Sequence, residues 1–360
     1  MAYLLGEQIM LGMGLEQTRG TAIEPQVWIP ARSPASLAAI VEQVQIKETR
    51  ASGISTDGSE VTQMRAEGDL EFNVRVNSIG YIFRSLLGSH TSTTSGGATT
   101  HVFSRSVAGP QFPSLTLALS QPGQQSYIYP LAIVSQLEIR TPIDDLVNAT
   151  ASFIAKSETD HAAFTTFVPD DDVYFRSHDV VVKFATDLSG LDAALGVCIK
   201  DLNFTIANNA RPNFCLGDIN PGDILTLITE LSGSFTTDYE GAAAYYNVFK
   251  AAGLKAMRIE MKRDDLASIG SSGLFPTLRI DLARVSFTGY SPDRPLDDIV
   301  TESIDFMAHY SEDDMQAIKV TLINTNSTYT EVSTSSSASA SVSPSSSASS
   351  SPSSSPSPSA

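Results

Sequence analysis

The feature of this sequence that most constrains its fold is an echo between its two halves. Gly68 and Gly88 lie 20 residues apart, with a helix-patterned stretch ending at the second glycine, and Gly233 and Gly253 enclose a second such stretch at the same spacing. Phe112-Pro113-Ser114-Leu115 is answered by Phe275-Pro276-Thr277-Leu278. Pro142-Ile143-Asp144-Asp145-Leu146-Val147 is answered by Pro295-Leu296-Asp297-Asp298-Ile299-Val300, and Phe153 and Phe306 each follow those prolines by 11 residues. Upstream, the strand around Val44 and Ile46 is matched with Leu202 and Phe204. Each match is short, but their shared order predicts an internal duplication. The units expected are 1–160 with an N-terminal arm, an acidic linker over 161–178, and 179–332.

Within each unit the hydrophobic pattern reads as strand. Alternating or β-branched runs lie between turn signals at Val41–Lys47, Leu70–Val76, Leu115–Leu119, Ile133–Ile139, Asp179–Phe184, Leu202–Ile206, Leu278–Leu282 and Ile318–Ile323. Two helices are expected. Asn77–Leu87 carries Ile79, Ile82, Phe83, Leu86 and Leu87 at helical spacing, with Asn77 as the start cap and Gly88 as the end. Gly241–Ala252 places Tyr245, Val248, Phe249 and Ala252 on one face before Gly253. The expectation is a mainly β, duplicated protein.

From Ser333 to Ala360, 18 residues are Ser and 4 are Pro, with no charge and no aromatic ring. Such a stretch buries too little apolar surface to offset its chain entropy, so 333–360 is expected to be a disordered tail.

Charge and motif searches exclude most chemistry. Lys and Arg total 23 against 40 Asp and Glu, a net charge of −17, which opposes general nucleic-acid binding. Only two cysteines occur, Cys198 and Cys215, so neither a disulfide framework nor a zinc site is expected. No apolar run approaches the roughly 20 residues that span a bilayer, and the mildly apolar N-terminus lacks the features of a signal peptide. His90, His101, His161, His178 and His309 form no metal-binding spacing, and His90 and His101, flanking a Gly/Ser/Thr loop, read as solvated. Gly12-x-Gly14 lacks the third glycine of a dinucleotide fingerprint. The pairs Asp144-Asp145 and Asp297-Asp298 could serve as acid and base for glycosidic cleavage, but their duplication points to a structural turn. Asp170, Asp171 and Asp172 lack an EF-hand frame and read as solvated linker. Asn148, Asn203 and Asn326 lie in N-x-Thr sequons, which carry weight only on a secretory route. No catalytic, cofactor or metal site is expected.

The N-terminal third carries a distinctive order of short motifs. Glu16-x-Thr18-x-Gly20-Thr21-Ala22 runs into Pro25-x-x-Trp28-Ile29-Pro30, followed by Ser33 to Leu37, a strand, and Glu48-Thr49-Arg50 opening a long loop. Glu67-Gly68-Asp69-Leu70, the helix ending at Gly88, and Phe112-Pro113-Ser114-Leu115-Thr116 follow. This order resembles the major tail tube proteins of long-tailed, siphovirus-type bacteriophages, in their larger group; it covers most of 1–155 and returns more weakly in 195–325. The resemblance implies two related β-sandwich or barrel domains, each with a short helix, whose sheets join across subunits into a ring. Rings stack into the tube through which DNA leaves, without specific binding and without a membrane. It further implies that the loop from Arg50 to Gln63, including Arg50, Asp57 and Glu60, reaches a neighbouring ring, with 208–227 as its second-half counterpart. Partners implied are further copies of the chain, with a trimer favoured over a hexamer, and terminator, tape-measure and baseplate proteins. The expected location is the virion tail, assembled in the host cytoplasm. Alternatives are a secreted β-sandwich binding module on a Ser/Pro stalk, a carbohydrate-active enzyme using an Asp pair, and a decoration or baseplate protein.

Overall fold

The computed structural model describes residues 5–48, 56–162, 164, 167, 172–239 and 244–329. The 333–360 tail and Arg50 lie outside them. Eight strands build one central antiparallel sheet. In chain order they are β1 (Ala38–Lys47), β2 (Thr56–Asn73), β3 (Ser126–Pro142), β4 (Asn148–Ala155), β5 (Asp201–Ala207), β6 (Glu230–Asp238), β7 (Thr277–Asp293) and β8 (Thr301–His309). Across the sheet they run β1-β2-β4-β3-β5-β6-β8-β7. The order 1-2-4-3 thus recurs as 5-6-8-7.

Side-chain alternation explains why these stretches extend. In β4, Ala149, Ala151, Phe153 and Ala155 point into the core, while Thr150 and Ser152 point away from it. β5 does the same with Leu202, Phe204 and Ile206. The registers also match between halves. Gly68 faces Phe153, and Gly233 faces Phe306. On the other flank, Val134 faces Phe153 and Phe287 faces Phe306, and a bulge follows immediately in β3 and in β7. Both glycines admit the preceding strand closely: a Cβ on Gly68 would lie 2.4 Å from Leu37 Cα, and one on Gly233 would lie 2.4 Å from the Asn203 carbonyl oxygen. Leu37, not Ile46, is therefore the positional counterpart of Phe204.

β3 and β7, each 17 residues long, leave the central sheet at their N-terminal ends. There β3 joins an outer sheet with Met10–Leu15, Val27–Ile29, Leu115–Ser120 and Thr159–His161. β7 joins another with Val180–Ala185, Leu254–Lys262, Ile318–Asn324, Ala98–Arg105 and Gly88–Ser95. The Phe-Pro echo falls on unlike strands: Phe112-Pro113 precedes the outer strand Leu115–Ser120, whereas Phe275-Pro276 precedes β7. A proline at a strand entry forfeits no ladder bond, so the dipeptide marks a common local need rather than a common position.

Helices α1 (Ile79–Leu87) and α2 (Ala244–Lys250) pack on the core side. Residues 241–243 of the second predicted helix lie outside the described residues. Gly88 ends α1 with φ +82° and donates its N–H to the Arg84 carbonyl. Asn77 does not cap α1: Ser78 holds the cap position, and the Asn77 side-chain oxygen is buried with no partner among the described residues. After α2 the left-handed residue is Ala252, φ +48°, and Gly253 donates to the Val248 carbonyl. The described end of the 161–178 stretch is built in rather than solvated. Val76 N–H donates to the Val173 carbonyl, Val147 N–H to that of Phe175, and the Phe175 ring is fully buried. One continuous core includes Phe72 and Phe83 together with Phe204, Phe235 and Phe306.

Candidate assembly edges and polar sheet face

Among the described residues the central sheet ends in two unpaired edges: β1 pairs only with β2, and β7 beyond Ser286 pairs only with β8. Between them lies a completed seam, where β5 pairs with β3 from Asp201 opposite Pro142 to Ala207 opposite Gln136. Asn203 Nδ2 donates to Glu138 Oε1 across it at 2.8 Å. Burial opposes ionisation of Glu138, yet bonds from Arg140 and Asn203 outweigh it and leave the carboxyl below its ordinary range.

β1 and β2 continue past the sheet as a two-stranded ribbon, from Ile40 opposite Arg65 to Lys47 opposite Thr56. Val41, Val44 and Val61 are 40%, 57% and 41% exposed on it. The long loop expected from Arg50 to Gln63 is therefore strand from Thr56 onward. Asp57 lies in that strand, and Glu60 faces Val44 as an exposed strand residue. The ribbon's first strand, Val41–Lys47, is expected from the sequence, but the second gives no signal, because exposure on both faces removes the alternation that marks a half-buried strand. At its base, Met64 N–H donates to the Ile219 carbonyl at 2.7 Å, and Arg65 bonds Glu42 and Glu67, each at 2.6 Å.

The counterpart in the second half, 208–227, is compact. It contains the short hairpin Arg211–Asn213 with Asp223–Leu225. Arg19 holds it, with Nε 2.6 Å from Asp223 Oδ1 and its other nitrogens donating to the carbonyls of Phe112 and Ile224. Thr226 N–H donates to the Pro110 carbonyl, and buried Ile224 packs with Leu131 and Ile133.

The sheet face turned away from the helices is polar and acidic. Alternation places Glu67, Asp69 and Glu71 of β2, Glu138 of β3 and Asp201 of β5 there. Glu230 and Asp238 of β6, Asp293 of β7 and Asp305 of β8 continue it. Serines and threonines such as Thr150, Ser152, Ser232, Ser234 and Ser303 fill positions between them. Of its arginines, Arg65 and Arg140 are bonded to carboxylates on the same face.

The two Pro-x-Asp-Asp segments occupy corresponding turns, β3 to β4 and β7 to β8. Asp145 Oδ1 accepts from Leu146 N–H at 2.7 Å, and Asp298 Oδ1 accepts from Ile299 N–H at 2.7 Å. The Leu146 N–H and then Arg32 hold the Asp145 carboxyl below its usual range. Pro142 ends β3, while Pro295, Asp144 and Asp297 are exposed turn residues. Among the described residues no group of three or more His, Cys, Asp or Glu side chains could hold a metal ion, and no helix is long and apolar enough to cross a membrane.

Two structural centres were hidden in the sequence. Glu16, 3% exposed, accepts from Gly20 N–H, Leu131 N–H, Thr116 Oγ1 and Ser114 Oγ, which explains its motif as an anchor for the N-terminal arm. His90 and His101 are not solvated. They stack, with His90 Nε2 3.0 Å from His101 Nδ1, and His101 is fully buried. His101 Nε2 faces only acceptors, Asn324 Oδ1 and the Asn326 carbonyl, so it carries the proton and His90 Nε2–H donates to His101 Nδ1. Burial, then the charges of His101 and Arg84, push His90 down to about 4. Their distance of 11 residues across a hairpin was the available signal, since it sets both rings on one face of paired strands.

A family model described as phage tail tube protein matches residues 6–308. No curated protein matches the chain.

Proposed function

The chain belongs to the phage tail tube protein family, a structural component of the virion tail, and from that premise we propose that it closes head to tail into rings that stack into the tube. Membership implies oligomeric assembly with other tail components. The observation that carries the finer reading is the pair of unpaired edges bounding an eight-stranded sheet. Exposed edges are aggregation-prone unless covered, and a rotational arrangement that closes covers all of them. Three chains supply six units of four strands, so a trimer with pseudo-sixfold symmetry is favoured over a hexamer. The repeated strand order and registers support an internal duplication as the origin of these units.

In such a ring the helices and outer sheets lie outside, and the acidic face lines the bore. Carboxylates and hydroxyls there repel or slide past phosphates, which suits a conduit for DNA and supports a non-enzymatic role. The β1–β2 ribbon reaches an adjacent ring, because a two-stranded hairpin needs a third partner for stability. Terminator, tape-measure and baseplate proteins are the further partners proposed.

Electron microscopy of purified protein tests the proposal. Hollow rods of uniform width are expected, with threefold rings on averaging. Persistent monomers under all assembly conditions, or a bore lined by Lys and Arg, would overturn it.

A further inference from the structure

The ring reading leaves open how neighbouring chains align, and the molecule contains its own template for that alignment. We infer that β1 of one chain pairs antiparallel with β7 of the next in the register of the internal β5–β3 seam, setting Ala39 opposite Tyr290 and Ala38 opposite Ser291. This inference rests on the ring proposed above.

The internal seam defines which backbone groups face outward. Asn208 N–H donates to the Ser135 carbonyl at 2.8 Å, so the alternation of an antiparallel ladder turns Leu202, Phe204 and Ile206 toward β3. On β1, Ser36 N–H donates to the Asp69 carbonyl at 3.1 Å, which turns even-numbered residues to β2 and leaves Leu37 and Ala39 facing out. The shared Gly68/Gly233 position makes Leu37 and Ala39 the counterparts of Phe204 and Ile206. The shared bulge and the Phe153/Phe306 position make Tyr290 and Pro292 the counterparts of Leu137 and Ile139. Because Ile206 faces Leu137 and Phe204 faces Ile139, Ala39 faces Tyr290 and Leu37 faces Pro292.

The side chains suit this register. On the core side the large Tyr290 ring, stacked on Phe249 of α2, meets small Ala39. On the polar face Ser291 meets Ala38 and Asp293 meets Ser36, with no like charges opposed. Pro292 lacks an N–H, so the seam has one ladder bond fewer than its template. Within the chain this proline faces outward on an edge, where it costs no bond.

Disulfide trapping reads the register directly. Ala38 and Ser291 are exposed and would form a non-hydrogen-bonded cross-strand pair, with Cα atoms about 4.5 Å apart, inside disulfide range. With exposed Cys198 and Cys215 replaced by serine, A38C/S291C protein is assembled, oxidised mildly and run without reductant. A ladder of covalent multimers is expected, at least tenfold more abundant than from the shifted pair A38C/D293C. Hydrogen exchange on the unmodified chain gives the same answer independently: the Ala39 and Tyr290 amides should slow at least tenfold on assembly. Rods without the A38C/S291C ladder, equal trapping of the shifted pair, or unprotected amides in rods would overturn the register while the tube stands. Absence of rods from the unmodified chain would overturn the tube and the register together.

Discussion

The β1–β2 ribbon and the Arg211–Leu225 hairpin occupy the same place in the two halves, each joining the first two strands of a four-strand unit, yet they end in opposite circumstances. The ribbon extends beyond the sheet with exposed valines and one backbone bond to the 208–227 segment. The hairpin is shorter and clamped onto the first half by Arg19, Pro110 and a buried isoleucine. A common frame thus carries two different connections: one projects with exposed valines, and in the proposed tube meets another molecule, while the other secures the two halves to each other. If only the ribbon projects, ring-to-ring contacts follow threefold symmetry even where the sheet is pseudo-sixfold.

The strongest way to break this contrast is to remove the ribbon. Replacing 43–62 by Asn-Gly closes Glu42 and Gln63 with a two-residue turn suited to paired strands. Rod formation should be abolished while the thermal midpoint of the monomer stays within about 2 °C, because little buried surface is lost. A large drop in the monomer midpoint would mean that the ribbon is structural.

The frame itself is probed by Gly68→Ala and Gly233→Ala. Each added Cβ meets backbone at 2.4 Å, and each should cost about 3 kcal/mol in urea denaturation. Unequal costs would show that the two positions are less alike than their registers. Arg19→Ala should cost less, about 2 kcal/mol for lost charged hydrogen bonds. It should speed hydrogen exchange in 211–225 without affecting the ribbon.

The remaining expected effect concerns pH. Burial holds His90 at about 4 and lowers His101, so as pH falls below about 6.5 the unfolded chain takes up protons first. Stability should be level above that pH and decline from there toward pH 4. Urea midpoints across this range should show the slope, and His90→Gln should reduce it, leaving the part due to His101. The effect belongs to the seam where Ala98–Arg105 meets the last strand, Ile318–Asn324, and should leave the hairpin clamp unchanged.

Much of the frame was legible because its strands bury one face. LTLAL, IVSQLEI and LRIDL are paired strands as their patterns imply, and Phe153 and Phe306 hold the same register in each half. Where burial was two-sided or absent, the signal failed. The ribbon residues near Glu60 lack a buried face, and His101 gives no sign in one dimension that Asn324 and Tyr329 will cover it. The acidic sheet face was invisible for a different reason. A carboxylate on an alternating strand points to one known side only after the register is fixed, and charge counts alone could not say which of the 40 acids share a surface.

The seam between β3 and β5 has a kinetic meaning. Its two strands belong to one polypeptide, so it forms during folding, at the high local concentration that a covalent connection provides. In the proposed ring only the β1–β7 seam would await a diffusional encounter, with its loss of translational and rotational freedom. A three-chain ring therefore needs two productive collisions before closure, where six separate units would need five. In the proposed trimer the assembly pathway is shortened before any two molecules meet.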